Sequence, residues 1–285
     1  MIRRDDGGDW LIIEQIKHAN LAAEIARAWG NERFEPLTLS RGGLSGLAFY
    51  HGVSHHDDGW NEWDWAPRVD PRTGMPRDFR EMRMHDATAI WTKSISAAAK
   101  LFPLAGYAVS RHFCYLAELV RSGGRHDLED LGAVTEFLER QTAVRTKFQE
   151  KAELHGWGED FLRHRELAYR IVQFFDRVSL WLCCADEHEP QEFTAPMGEV
   201  VTISSRPSTP ITGPSAFGAY RLQAERPDYR AWTVAIEPYP LSEDAHEFRV
   251  DARRIPARNY ANDADLHATW NDAPHVELVW TLTRR

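Results

Sequence analysis

The hydrophobic period of this chain changes once, near Glu189-Pro190. Before that point, apolar residues recur at helical spacing over 84–101, 104–122, 127–154 and 159–185, the return of one face every three or four residues. An earlier helical pattern covers 14–29, with Ile16, Leu21, Ile25, Ala28 and Trp29 on one side. After that point, apolar and polar residues alternate, as in Glu199-Val-Val-Thr-Ile-Ser, Arg230-Ala-Trp-Thr-Val-Ala-Ile and Val276-Glu-Leu-Val-Trp-Thr-Leu. That is the period of strands with one buried face. A pattern of one period does not settle into the other structure. The expectation is therefore a mainly α fold: a helical domain over 1–190 with an appended β-rich C-terminal subdomain over 191–285. Asp9-Trp-Leu-Ile-Ile, after the Gly7-Gly8 turn, reads as a strand. Pairing residues 1–13 with the C-terminal sheet would tie the two ends together.

The 285 residues carry a net charge of −9 and show no basic stripe, which disfavours duplex nucleic acid as a partner. Cys114, Cys183 and Cys184 have no zinc-finger spacing and make no disulfide framework, as in a reducing compartment. No apolar run approaches the roughly 18 residues of a membrane span. Arg3-Arg4 is followed at once by Asp5-Asp6, unlike a signal peptide. The expected setting is cytoplasmic and off the membrane, with a small-molecule substrate and room for a homo-oligomer. No Walker loop or dinucleotide fingerprint is present. Gly43-Leu44-Ser45-Gly46-Leu47 lacks the final glycine of a nucleophile elbow.

The chemistry gathers at Ser54-His55-His56-Asp57-Asp58-Gly59-Trp60. The small-residue run 46–56 reads as a buried helix ending in His56-Asp57, which presents one nitrogen and one oxygen to a metal ion. His55 is expected to face away from His56, because consecutive helical side chains diverge. Asp176 lies mid-helix beside Phe175, Val178, Leu180 and Leu182. A carboxylate buried there needs a cation or several hydrogen bonds. A metal would supply the cation; so would Arg170 or Arg177. His18 and His85 taken singly are ordinary helix residues. His112, among Phe113, Leu116 and Leu119 on an apolar helix, is the stronger candidate.

Taken in order, His18, His56-Asp57, His85, His112 and Asp176 resemble the ligand series of the HD-domain superfamily of metal-dependent phosphohydrolases and its oxygenase relatives. His56-Asp57-Asp58-Gly59 matches the His-Asp-x-Gly signature of that superfamily, and the likeness covers roughly 14–185. It implies an HD-type helical bundle with His18, His56, Asp57 and Asp176 as core ligands. His85 and His112 would be the two further histidines of the dinuclear subgroup, with Asp57 bridging two ions. The Ser110-Arg111-His112-Phe113 segment and the late Gln-x-x-Asp-x-x-Ser-Leu helix also resemble a group of uncharacterised bacterial members. Many phosphohydrolase members carry a phosphate-binding lysine where this chain has Trp60. Arg72, Arg77, Arg80, Arg83 and Arg111 are candidates to replace it.

Imidazole and carboxylate ligands suit one or two divalent or mixed-valent transition ions: Fe, Mn, Zn, Co or Ni. The leading expectation is a hydrolase acting on a small phosphoester, with Asp58 in proton transfer, Arg111 at the reacting group, and Trp60, Arg72 and Arg77 toward the substrate. The loop 60–83, rich in Pro and Gly, is placed to serve as a specificity segment. The alternative is a mixed-valent di-iron oxygenase that cleaves a C–C or C–P bond with O₂. Trp60, Trp63, Trp65 and Trp91 would shield its substrate. A non-catalytic binding module is the third reading.

Overall fold

A computed structural model describes residues 1–37, 44–124, 126–184, 190–207 and 230–284. Two short strands, β1 (Ile2–Asp5) and β2 (Asp9–Ile13), form a hairpin. Gly7 and Gly8 turn it with φ of +67° and +116°, angles that side chains rarely permit. The helices α1 (Gln15–Ala28), α2 (Leu44–Ser54), α3 (Asn61–Trp65), α4 (Met84–Ala98), α5 (Pro103–Ser122), α6 (Leu128–Leu154) and α7 (Gly158–Cys184) follow. Their ends follow local chemistry. Pro103 opens α5, where its missing N–H costs nothing. The Asp127 carboxylate caps α6 by accepting from the Asp130 N–H. The long C-terminal helical patterns thus lie within a few residues of the boundaries read from the sequence.

The remaining elements are β3 (Gln191–Thr194), β4 (Val200–Pro207), β5 (Ala231–Glu237), β6 (Ala245–Pro256), α8 (Asp263–Asn271) and β7 (His275–Arg284). The strands make one seven-stranded sheet in the order β1-β2-β6-β7-β5-β4-β3. All neighbours are antiparallel except β5 and β7, which run parallel. β2 pairs directly with β6, Trp10 opposite Ile255 and Leu11 opposite Arg254.

This sheet overturns the expectation of a mainly α, HD-type bundle with an appended β subdomain. The molecule is an α/β fold with a curled mixed sheet. The cause is burial. Along β5 and β7 every second residue is buried, so one sheet face needs a cover. Helix α1 packs on β6, and α7 packs on β1 and β3. Leu21, Ile25 and Phe175 from helices share one core with Leu11, Trp232, Val234 and Trp280 from strands. The other face is covered in part by α8, whose Leu266 and Trp270 pack with Ile12 and Ile255. The period change expected at Glu189-Pro190 falls partly outside the described residues.

Helix α7 is the axis of this arrangement. Its buried stripe of Ile171, Val172, Phe175, Val178, Ser179 and Leu182 meets α1, α2, α5 and α6. Asp176 lies within that stripe, so a carboxylate is delivered to the middle of the helical layer.

Candidate metal centre

Four segments deliver the site. His18 projects from the first turn of α1, whose start is held by the Asp64 carboxylate accepting from the Ile16 N–H at 3.0 Å. His112 comes from the middle of α5 and Asp176 from α7. His56 and Asp57 do not end a helix as expected: α2 stops at Ser54, and the pair occupies the following turn. A short 3-10 turn, Asp58–Trp60, then carries the chain onward. Gly59 explains how this turn is seated. Its N–H donates to Ser94 Oγ at 2.9 Å. A Cβ at Gly59 would stand 2.1 Å from the carbonyl oxygen of Ile90, so only glycine lets the turn press against α4.

The ring nitrogens and carboxylates converge. His18 Nε2 lies 3.1 Å from Asp57 Oδ2 and 3.6 Å from Asp176 Oδ1. His56 Nε2 lies 3.3 Å from Asp176 Oδ1 and 3.7 Å from Asp57 Oδ2. His112 Nε2 lies 3.7 Å from Asp176 Oδ2. All five residues are buried, and His18 and His56 are fully so. Ligand atoms of His18, His56 and Asp57 fall within 4.8 Å of one another, so these three can hold a metal ion.

The opposite ring nitrogens decide what the Nε2 atoms carry. His56 Nδ1 meets the Val53 carbonyl oxygen at 2.7 Å, which only accepts, so Nδ1 holds the proton. The Ser179 hydroxyl donates to the Asp176 carbonyl at 3.0 Å. Its oxygen is therefore left to accept from His18 Nδ1 at 2.8 Å. In the neutral tautomers, both Nε2 lone pairs then point at carboxylate oxygens. Two acceptors facing each other in a buried site need a proton or a metal ion between them.

The electrostatics record the same conflict. Burial would push the His56 imidazole down, but Asp57 and the hydrogen bond to Asp176 outweigh it and raise it to about 9. Burial would push the Asp176 carboxyl up, but His112, His56 and His18 hold it at about 2. His112 is lowered, by burial first and then by its imidazole neighbours against the pull of Asp176. Without a metal, the cluster rests on a His56 imidazolium facing Asp176. The donor set of imidazole nitrogen and carboxylate oxygen fits a borderline divalent transition ion.

The other expected site residues lie elsewhere. His85 is 82% exposed and pairs with Asp86 at 3.7 Å. The buried face of α4 is Met84, Ala87, Thr88 and Trp91, which turns residue 85 to solvent. The dinuclear ligand set is therefore incomplete. Asp58 accepts from His55 Nδ1 at 2.8 Å and takes no part in the cluster. Arg111 lies 3.6 Å from Glu166 and over the ring of Tyr169. Trp60 is buried in the core, packed with the helices. Arg72 is 71% exposed and held by Asp70 at 2.7 Å. Arg77 pairs with Asp86 at 3.7 Å beside Trp63. Arg80 and Arg83 are likewise tied, to Asp78 and to Asp127. Four arginines of the 60–83 loop thus meet carboxylates, and the fifth, Arg68, lies over the ring of Trp63. Arg170 and Arg177, the alternative partners of Asp176, are exposed, and the imidazoles take their place.

Sequence reading placed Ser179 in the Gln-x-x-Asp-x-x-Ser-Leu segment and gave it no role. Its signal was the i, i+3 spacing from Asp176, which puts a hydroxyl on the same helical face as the carboxylate. The nucleophile-elbow segment begins at Gly43, outside the described residues. Its Ser45 bonds to Asp160 and lies 3.2 Å from His164 Nδ1. That single ring nitrogen faces serine and carboxylate together, so His164 does not relay a proton between them.

A family model matches residues 1–257, under the description "Protein of unknown function (DUF3891)", and the chain belongs to that family. No curated protein and no solved structure matches the chain. Among the described residues, no helix is long and apolar enough to cross a membrane.

Proposed function

We propose that this DUF3891 member is a metal-dependent hydrolase of a small phosphoester, with one divalent transition ion held by His18, His56, Asp57 and Asp176. His112 completes the wall of the site. One observation carries the reading. Two histidines whose Nδ1 protons are committed to Val53 and Ser179 aim Nε2 lone pairs at two buried carboxylates. Such an arrangement is costly for a purely structural cluster and suited to a cation. The resemblance of His18, His56-Asp57 and Asp176 to the HD superfamily adds support for hydrolysis over other metal chemistry. With the fold unlike the expected bundle, that support rests on the residues alone.

When bound, a divalent ion supplies Lewis acidity, lowering the pKa of water and polarising an ester oxygen. The protein's own contribution is positional. Val53 and Ser179 fix the tautomers, so neither ring has to turn on binding. The buried setting of Phe113, Phe175 and Val178 keeps the local dielectric low and strengthens each charge interaction. His112, held neutral by burial, is the group available to take or return a proton through Nε2 beside Asp176.

The test is metal content and turnover. Purified protein is expected to retain about one transition ion per chain. It should hydrolyse members of a phosphoester panel, and a chelator should stop it. Protein that retains no ion after dialysis against Mn, Fe, Co, Ni or Zn overturns the reading. Two irons per chain with a mixed-valent EPR signal overturn it in favour of oxygen chemistry.

A further inference from the structure

The helices that deliver His112 and Asp176 also build a groove of about 320 Å³ at the surface. Tyr115 lies three residues after His112 on α5, and Gln173 lies three residues before Asp176 on α7. Three residues on a helix share a face and are separated by about 4.5 Å of rise. The groove therefore begins one helical turn from the metal centre on two separate elements.

Its lining has a definite chemistry. Arg170, Gln173 and Arg177 make one stripe along α7, at i, i+3 and i+7. Both arginines are exposed. Among the described residues, neither has a carboxylate within ion-pair distance, whereas Arg72, Arg77, Arg80, Arg83 and Arg111 each have one. Two cations thus stand over one groove in a chain of net charge −9. Tyr115 and Tyr169 add aromatic surface and hydroxyls, and the buried Phe193 of β3 seats the Arg177 guanidinium 5.4 Å from its ring centre.

From this juxtaposition we infer that the groove binds the planar, anionic part of a small organic molecule. Arg170 and Arg177 would hold a carboxylate or phosphate, and Tyr115 and Tyr169 would flank a ring. Guanidinium forks match both anions bidentately, and aromatic walls favour a flat apolar body. As the substrate subsite of the proposed hydrolase, the groove rests on that reading for its role. Its ability to bind the anion does not depend on the metal.

Calorimetric titration separates these. The probes are phenyl phosphate, benzoate, inorganic phosphate and phenol, titrated into full-length protein with and without a chelator, with metal content measured in parallel. Phenyl phosphate or benzoate is expected to bind more tightly than inorganic phosphate and than phenol. The better of the two names the anion. R170A/R177A is expected to weaken that binding about tenfold or more at unchanged metal content. R170K/R177K should recover part of it. Equal binding of phenol, or unchanged binding in R170A/R177A, overturns the inference. Arginine-dependent binding to protein that takes up no metal supports the groove and removes the hydrolase reading. Normal metal uptake without binding of either ring-bearing anion removes the groove and leaves the metal centre standing.

Discussion

Two histidine–carboxylate clusters in this molecule use the same kinds of group and differ in burial and in where the protons lie: the Asp160 side chain is 41% exposed, those of Asp57 and Asp176 only 8%. In the first, Ser45, Asp160 and His164 meet near the starts of α2 and α7. The His164 Nδ1 lies 2.9 Å from Asp160 Oδ1 and 3.1 Å from the Asp160 carbonyl. Each acceptor there finds a donor, and the network holds two helix ends together. In the second, His18, His56 and His112 meet Asp57 and Asp176, and the Nδ1 protons are spent outside the cluster. Proximity of imidazole and carboxylate alone does not separate a structural histidine from a candidate metal ligand. The position of the proton does.

The comparison breaks most sharply at Asp176. Asp176→Ala is expected to abolish metal retention and to destabilise the chelated protein by about 3 kcal/mol, because it removes the carboxylate hydrogen-bonded to the buried His56 imidazolium and leaves only Asp57 beside it. His164→Ala should leave metal content unchanged and cost only about 1 kcal/mol. Chemical denaturation with parallel metal analysis checks both, and a metal-free His164→Ala protein would erase the distinction.

Proton linkage gives the next largest effect. Asp176, held at about 2 against an ordinary 3.8, adds stability that is present above pH 3.8 and lost as pH falls toward 2. His56, raised from 6.5 to about 9, adds stability that is present below pH 6.5 and lost as pH rises through 9. Chelated protein should therefore melt at its highest temperature between these limits and fall on either side. Added metal should flatten the alkaline side by replacing the proton on His56. A melting temperature that is level from pH 6.5 to 9 without metal would contradict the imidazolium pair.

Ser179→Ala sharpens the comparison further. It removes the acceptor that fixes the His18 tautomer, and metal affinity should fall about 10- to 100-fold with the fold intact. Competition with a chromogenic chelator measures it, and unchanged affinity would leave the tautomer argument without force. The smallest effect belongs to His85→Ala, which should change neither metal content nor melting temperature, since that ring lies in solvent.

Local patterns in the chain were legible because they report local physics. The helical periods of α4 to α7 and the alternation of β5 and β7 follow from which side chains avoid water. The His56-Asp57 turn and its Gly59 stood out as a signature, and Asp176 stood out as a charge in an apolar stretch. The role of Trp60 was not legible. Its position suggested a substrate contact, and packing against α4 put it in the core. Arg72, Arg77, Arg80 and Arg83 looked available until the fold brought Asp70, Asp86, Asp78 and Asp127 to them.

The sequence alone determined that the long helices precede the C-terminal strands, that a charge is buried in α7, and that imidazoles and carboxylates are the chemistry at hand. Tertiary structure decided the rest. It fixed β6 as the partner in the pairing of residues 1–13 with the C-terminal sheet that the sequence had offered, and laid that sheet against the helices as half of the core rather than an appendage. It left His85 outside and seated Ser179 under His18. It also turned Arg170 and Arg177 away from Asp176 into a groove. Pattern records which face of an element is buried, but not which other face it will meet. Pairings between distant segments are chosen by the packing of the whole chain.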